Sequence, residues 1–260
     1  MAFVGIGGRR IEVERIPAGV PGRPALVFLH EGLGSVAMWR DFPARVAHAC
    51  GCDAVVYSRF GYGRSAPLDA PRGVRYMHDE ALVALPDVLH AAGVVRPVLV
   101  GHSDGGSIAL IHAGSGNPVA GLVLLAPHVF VEDVSIASIA AAGRAYEGTD
   151  LRARLARYHD DVDSAFRGWN DIWLHPDFRA WNIEDALPGI RCPVLAIQGA
   201  DDEYGTMEQV RRIAAAVPDT DVLELADCRH SPHRDQPEAV IDAITRFLDR
   251  LTSWPKAPRA

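Results

Sequence analysis

Short apolar segments alternate with amphipathic ones along most of the chain. The apolar segments are rich in Val, Ile and Leu and are mostly continuous, a pattern typical of strands that are covered on both faces. They predict strands at residues 11–16, 25–30, 53–59, 97–102, 119–127, 193–199 and 221–226.

Helical periodicity occupies the stretches between these strands. It predicts helices at residues 78–92, 108–113, 208–217 and 238–251. Pro86 lies inside the first of them, where it must kink or restart the helix because proline lacks an N–H donor. Strands that alternate with helices imply an α/β fold, with a mostly parallel central sheet, right-handed crossovers and helices on both faces.

One long segment breaks this alternation. Residues 129–188 contain no convincing strand, and their leucine and aromatic residues recur at helical spacing. We therefore predict a helical insertion at 129–188, a cap over a core formed by 1–128 and 189–260. Most of its aromatic residues are expected to pack within the insertion, and a few should face whatever lies beneath it. The last residues, 253–260, are predicted to be a frayed end.

Composition excludes several classes of protein. With 48% hydrophobic residues and a net charge of -7, the chain of 260 residues is neither disordered nor a nucleic-acid binder. Its longest apolar run is shorter than the roughly 20 residues of a membrane span, and no signal peptide is apparent at the start. We expect a soluble cytoplasmic protein. The cysteines are too few and too irregularly spaced for a disulfide framework or a zinc site: Cys50, Cys52, Cys192 and Cys228.

The sequence GHSDGG at residues 101–106 is the first candidate for chemistry. It follows an apolar strand and opens a helix, the setting in which Gly-x-Ser-x-Gly forms a nucleophile elbow. Glycines let the strand and helix pass closely, while the helix N-terminus favours negative charge beside the serine. Ser103 is therefore the predicted nucleophile.

A serine hydroxyl needs a base to take its proton, and the base needs an acid to orient it. GADD at 199–202 follows an apolar strand, and CRHSPH at 228–233 follows the last predicted strand. The chain order Ser103, Asp202, His230 is the order of nucleophile, acid and base described for α/β-hydrolases.

These motifs together resemble the α/β-hydrolase superfamily, in particular its small, capped esterase and C–C hydrolase branch. The likeness extends from about residue 25 to residue 251. It includes HEGLGS at 30–35, which resembles the loop after the third family strand, and SRFGYGRS at 58–65, which resembles a family turn. The resemblance implies that these loops meet at the carboxyl edge of the sheet, where open α/β sheets bind ligands.

Other residues compete for the acid and base. Asp201 adjoins Asp202, but the family spacing favours Asp202, and Asp133 is a weaker substitute. His233 competes with His230, although the family's Gly-His dipeptide aligns with residues 229–230, where this chain has arginine instead of glycine. A metal site of both histidines with Asp235 lacks a further ligand at suitable spacing.

The resemblance also implies an oxyanion hole formed by two backbone N–H groups. Asp104 follows the nucleophile and should supply one, and Gly32 the other, with Leu33 as the alternative if the loop shifts by one residue. Glu31 stands where family loops have glycine. Glu31 and Asp104 together suggest a site for a cationic group, although the simpler interpretation is that they stabilise the loop and the helix N-terminus.

The aromatic cap suggests a small-molecule substrate with an acyl or aromatic body. Arg59 is a further candidate, for binding a substrate carboxylate. The candidate substrate-binding residues, each more often packed than in contact with substrate, are Glu31, Leu33, Trp39, Trp169, Trp173 and Trp181.

The sequence thus predicts a serine hydrolase that cleaves a carboxylic ester or lactone through an acyl-enzyme. Two alternatives stay open: cleavage of a carbon–carbon bond in a ring-fission product, and a non-catalytic ligand-binding use of the fold. No cofactor is expected, because the chain has no dinucleotide-binding or Walker-type loop, and no metal, nucleic acid or membrane partner is expected. A homodimer stays open.

Overall fold

Eight strands form a single sheet in the order β1-β2-β4-β3-β5-β6-β7-β8. The computed structural model in which they are seen describes residues 2–252. Strands β3 to β8 run parallel to one another, whereas β2 is antiparallel to both β1 and β4. The strands are β1 (Ala2–Ile6), β2 (Arg9–Ile16), β3 (Leu26–Leu29), β4 (Ala54–Tyr57), β5 (Val98–His102), β6 (Gly121–Leu125), β7 (Val194–Gly199) and β8 (Thr220–Leu225).

The predicted mostly parallel sheet is confirmed, and each of the seven predicted strands is present. Strand β1 was not predicted. It pairs with β2 through a tight turn at Gly7 and Gly8, both of which have positive φ (55° and 76°). A Gly-Gly dipeptide between two short extended segments is a hairpin signal, so the sequence did contain evidence for this strand.

Ten α-helices are seen in the described part of the chain, and they cover both faces of the sheet. Helices α1 and α10 pack on one face, while α2, α3, α4 and α8 pack on the other. The helices are α1 (Phe42–Cys50), α2 (Tyr76–Asp79), α3 (Leu85–Ala92), α4 (Asp104–Gly114), α5 (Asp133–Gly148), α6 (Leu151–Leu155), α7 (Val162–Trp173), α8 (Glu208–Ala216), α9 (Pro232–Asp235) and α10 (Pro237–Thr252).

The segment around Pro86 is continuous rather than broken. A wider π-helical stretch, Glu80–Ala84, joins α2 to α3 directly before the proline. Because the proline ring cannot fit against the carbonyl one turn earlier in a regular α-helix, the wider turn accommodates it. The kink expected at this position is thus taken up as a π-bulge.

The chain between β6 and β7 is largely helical. It contains α5, α6 and α7 and two 3₁₀ turns, Pro176–Ala180 and Glu184–Gly189, and its one recorded β-bridge joins Phe130 to Asn182. The segment begins at the carboxyl end of β6 and ends at β7, the neighbouring parallel strand, so its helices can lie over the carboxyl edge of the sheet. The exact division into core and cap stays a prediction, and the predicted frayed end at 253–260 lies outside the described residues.

Two further features bear on earlier expectations. All four cysteines are free, buried thiols. Between residues 2 and 252, each helix is too short or too polar to cross a bilayer.

Candidate active site

Ser103 occupies a strained turn between β5 and α4. Its backbone has φ 52° and ψ -118°, outside the regions that non-glycine residues normally adopt. The flanking glycines are sterically required, because a Cβ on Gly105 would lie 2.0 Å from the Leu29 carbonyl oxygen and one on Gly101 would lie 2.4 Å from that of Gly105. The turn places the serine hydroxyl at the N-terminus of α4, as the motif predicted.

The structure brings Ser103, His230 and Asp202 into one hydrogen-bonded series. Nε2 of His230 lies 3.0 Å from Oγ of Ser103, and Nδ1 lies 2.8 Å and 2.9 Å from the two Asp202 carboxylate oxygens. A carboxylate accepts hydrogen bonds, so Nδ1 carries the proton and Nε2 is free to accept the serine proton. This is the arrangement a nucleophile, base and orienting acid require.

The Asp202 carboxylate is held on several sides. Oδ1 accepts a hydrogen bond from the Tyr204 amide at 2.7 Å, and Oδ2 accepts one from the Gln198 side chain at 2.7 Å. Burial by itself would raise the pKa of Asp202, but the hydrogen bonds from His230 and Tyr204 outweigh it and hold that pKa below its ordinary value. The carboxylate is therefore charged at neutral pH. Gln198, a buried residue of β7, was not predicted from the sequence.

The competing acids and base lie elsewhere. Asp201 is exposed beside Asp202, and Asp133 pairs with Arg179 on the surface. His233 packs against the rings of Trp39 and Phe42, with centroid distances of 4.9 Å and 5.4 Å, on the side of the sheet covered by α1 and α10. None of the three is hydrogen-bonded to Ser103.

A partly open cavity of about 120 Å³ lies over Ser103. Of the predicted substrate-binding residues, Glu31, Leu33, Trp169 and Trp173 line it. Its wall is otherwise formed by Gly32, His102, His128, Ile139, Tyr204, His230 and Ser231.

Two predicted wall residues do not line this cavity. Trp39 packs with Phe28 and Phe42 on the opposite face of the sheet, because the loop after β3 leads directly into α1. Trp181 stacks on Phe178, with ring centroids 5.4 Å apart, within the core of the insertion. The prediction of a substrate contact is wrong for both in this structure.

Two hydrogen bonds to the Glu31 carbonyl fix the orientation of the peptide between Glu31 and Gly32. Nδ1 of His30 donates to the Glu31 oxygen at 2.7 Å, and the Arg59 guanidinium donates to it at 2.8 Å. Because C=O and N–H point in opposite directions across a trans peptide, the Gly32 N–H points away from this buried side, and Gly32 lines the cavity. In the described part of the chain, neither that N–H nor the one of Asp104 has an acceptor. Both are free to bind a developing oxyanion.

The Asp104 side chain turns away from the cavity. Its carboxylate accepts hydrogen bonds from the Tyr76 hydroxyl at 2.7 Å and from the Trp173 indole at 3.3 Å, and lies 3.7 Å from the Arg59 guanidinium. Glu31 instead lies near His102 and Arg234, each at 3.5 Å. The two acids therefore do not form a shared cation site.

Arg59 is fully buried in these contacts, so the suggested substrate-carboxylate role for it is wrong. Its guanidinium instead contacts the Glu31 carbonyl and the Asp104 carboxylate within the protein interior.

His128 is a cavity residue that the sequence analysis missed. It follows β6, its ring centre is 5.7 Å from that of His230, and Nδ1 has no hydrogen-bond partner within residues 2–252. Burial, reinforced by the neighbouring His230, lowers the pKa of His128 to about 4, so it is neutral at physiological pH. The signal that could have found it is its position just after a parallel strand, at the edge where ligands bind.

Comparisons with known proteins identify the family to which this fold belongs. A model of the alpha/beta hydrolase family matches residues 26–243. The chain belongs to the alpha/beta hydrolase family. The expected fold, an eight-stranded and mostly parallel sheet with flanking helices, is confirmed by this match.

Individual relatives of this alpha/beta hydrolase catalyse varied reactions. It is 30% identical over 259 residues to a putative carbamate hydrolase, RutD, of Caulobacter sp. (strain K31), covering 88% of this chain and 94% of the relative. It is 22% identical to the 2-succinyl-6-hydroxy-2,4-cyclohexadiene-1-carboxylate synthase of Salmonella paratyphi C (strain RKS4594), covering 88% and 96%. A proline iminopeptidase from Mycobacterium smegmatis has a similar structure, with a TM-score of 0.77 at 20% identity, covering 96% of this chain and 98% of the other. These likenesses establish the family and the fold, and leave the substrate undetermined.

Proposed function

We propose that this alpha/beta hydrolase cleaves a carboxylic ester or lactone through an acyl-enzyme formed on Ser103. The single observation that carries the proposal is the hydrogen-bonded series from Ser103 through His230 to Asp202. Three further features support it: the strained serine turn, the free amides of Gly32 and Asp104, and the small cavity over the hydroxyl.

Acylation begins with the serine proton. Nε2 of His230 takes the proton as Ser103 Oγ attacks the substrate carbonyl carbon, and Asp202 stabilises the imidazolium that results. The oxygen of the tetrahedral intermediate accepts hydrogen bonds from the N–H groups of Gly32 and Asp104. When the intermediate collapses, the carbon–oxygen bond of the ester breaks and the imidazolium gives its proton to the departing alkoxide. An alcohol leaves, and in a lactone the hydroxyl stays attached to the acyl chain.

Deacylation repeats these steps with water. His230 removes a proton from water, which attacks the acyl carbon while the same amides hold the oxyanion. Collapse of this intermediate returns the proton to Ser103 Oγ and releases the carboxylic acid.

The size of the cavity supports a short acyl group. A dry cavity of about 150 Å³ holds a benzene molecule, so the 120 Å³ over Ser103 accommodates roughly five non-hydrogen atoms. A butyryl group has that size. Ile139, Trp169 and Trp173 provide an apolar wall, which favours an unbranched hydrocarbon chain over a charged one.

A panel of p-nitrophenyl esters from acetate to octanoate tests the reaction and the size limit together. We expect kcat/KM to be highest at or below butyrate and to fall for longer chains. Ser103→Ala should fold normally and lose about three orders of magnitude or more in turnover. Ser115→Ala, which alters an exposed serine at the other end of α4, is the matched control and should keep full activity.

A fluorophosphonate probe distinguishes the alternatives. Wild type and Ser115→Ala should be labelled, and Ser103→Ala should not. A folded wild-type protein that stays unlabelled and cleaves no ester would contradict the proposal and favour a ligand-binding role. If a matched carbamate or a ring-fission dienoate is turned over faster than the ester, that compound gives the substrate class instead. The role of Ser103 as the nucleophile would then be kept.

A further inference from the structure

Four arginines line a second groove beside the active site. This arginine groove has a volume of about 300 Å³ and is lined by Arg40, Arg154, Arg157 and Arg234, together with Tyr158 and apolar side chains. Arg40 lies just before α1 and Arg234 lies in α9, whereas Arg154 and Arg157 belong to α6 and the turn after it. The groove therefore lies where the helical insertion meets the sheet-bearing part of the chain.

The positive charge of the groove is only partly balanced. Arg154 pairs with Asp150 at 3.2 Å, and Arg234 lies 3.5 Å from Glu31. Arg40 and Arg157 have no carboxylate partner among residues 2–252, although the chain as a whole has a net charge of -7. Two unbalanced guanidinium groups in a concave site concentrate positive potential there.

Arg40 is held in the groove by an unfavourable backbone. Its φ of 56° and ψ of -131° lie in a region that glycine adopts and other residues avoid. Such a conformation destabilises the fold and persists only where the surrounding structure enforces it. Glycine would be the more stable choice at this position, so the presence of arginine calls for a reason other than stability.

The groove and the active cavity meet at one pair of side chains, Arg234 of the groove and Glu31 of the cavity. Arg234 donates to the Met38 carbonyl at 3.0 Å and lies against Glu31, whose other oxygen is 3.5 Å from Nδ1 of His102, the residue before Ser103. Glu31 itself lines the cavity. Since its carboxylate repels anions, an anionic group would be held at the Arg40 and Arg157 end, away from the cavity.

We propose that the arginine groove binds an anionic group, a phosphate or a carboxylate, on the part of the substrate that extends out of the active cavity. This proposal rests on the proposed ester hydrolysis and adds the chemistry of the distal end. Guanidinium groups match both anions with paired hydrogen bonds, and the tyrosine and apolar side chains of the groove suit the connecting chain. The small cavity would hold the acyl group, and the groove would select the charged end.

Two arginine variants test the groove, with a third as the matched control. Arg157→Gln removes a charge that has no carboxylate partner. Arg40→Gly removes a second such charge and also relieves the strained backbone. Arg211→Gln, the control, removes an exposed charge on α8, outside the groove. The substrates are three butyrate esters whose alcohols have equal length and end in a phosphate, a carboxylate or a neutral amide.

We expect wild type and Arg211→Gln to prefer one or both anionic esters over the neutral one. Arg157→Gln and Arg40→Gly should each lower the ratio of kcat/KM for anionic over neutral ester about tenfold, the equivalent of losing one charge-assisted hydrogen bond. The change should lie in KM rather than kcat, because the groove is remote from the reacting bond. Arg40→Gly should also raise the melting temperature, which separates loss of binding from loss of folding. Whichever anionic ester is preferred identifies the group.

A binding measurement keeps the groove testable if no ester is cleaved. Ser103→Ala is titrated with pyrophosphate and with glutarate by calorimetry, alone and combined with Arg157→Gln or Arg40→Gly. Binding that both arginine variants weaken supports the groove even if the proposed hydrolysis fails. The groove proposal is overturned if neither anion binds, or if Arg157→Gln, Arg40→Gly and Arg211→Gln behave alike.

Discussion

His128 should make the folded protein sensitive to mild acid. An unfolded chain binds a proton at a histidine with a pKa of about 6.5, whereas burial holds the pKa of His128 at about 4 in the folded protein. As the pH falls from 6.5 towards 4, the unfolded state takes up a proton that the folded state does not. The contribution of His128 to the free energy of unfolding therefore falls over this window and is constant above it.

The size of this effect follows from the two pKa values. One pKa unit corresponds to about 1.4 kcal/mol, so the full loss below pH 4 is about 3 kcal/mol. At pH 5 the unfolded state is almost fully protonated at this site and the folded state is almost neutral, which gives a loss of about 2 kcal/mol. The group is buried in the cavity wall, so solvent does not screen it appreciably.

His128→Gln removes the titrating group and keeps a polar side chain of similar length. Urea unfolding at pH 7.5 and pH 5 gives the free energy of unfolding for each variant. We expect the decrease between the two pH values to be about 2 kcal/mol smaller in His128→Gln than in wild type. Ile139→Val changes the same cavity without removing a titrating group, so it should show the wild-type decrease. An equal decrease in wild type and His128→Gln would refute this account of a buried neutral imidazole.

Two further substitutions test the chemistry, each with a matched control. Gly32→Ala would place a Cβ 2.2 Å from the cavity-wall indole, so the loop must move and the amide at residue 32 should no longer reach the oxyanion. We expect kcat to fall about 100-fold or more. Gly148→Ala, which has open space around it, should be neutral. Asp202→Asn should lower kcat about 10³- to 10⁴-fold because it disfavours the required imidazole tautomer, while Asp201→Asn should retain activity. Circular dichroism checks folding in all four, and equal activity within either pair would contradict the assigned roles.

The serine turn was predictable from the sequence because a short segment contains the strand, the Gly-x-Ser-x-Gly motif and the start of the helix. Glycine at 101 is required by the close passage of β5 and α4, whereas glycine at 105 is required by the Leu29 carbonyl of the neighbouring strand β3. The acid and the base could also be predicted, because each follows a strand and the carboxyl ends of the parallel strands lie at the same edge of the sheet. Strand β1 was missed because it lies at the edge of the sheet, where its side chains are mostly exposed and its apolar pattern is weak.

Residues that depend on tertiary position were harder to predict. Trp39 and Trp169 are both tryptophans near loops that reach the carboxyl edge, yet only Trp169 lines the cavity. The difference arises from which face of the sheet each packs against, and periodicity within a short segment does not encode that. The environment of Asp104 was missed for the same reason, because its partners Tyr76 and Trp173 lie far from it along the chain. Gln198 is close to its partner Asp202 in the sequence, but no motif marks a glutamine within a strand as a partner of the acid.

The long separation along the chain between the serine and the histidine has a consequence for biogenesis. Ser103 and His230 are 127 residues apart, and the entire helical insertion and three strands lie between them. Contacts that close such large loops form late, since the loss of chain entropy must be met before they are made. A nascent chain that has not yet reached residue 230 lacks the base, so the hydrogen-bonded series on Ser103 can form only after the helical insertion and β8 have been synthesised.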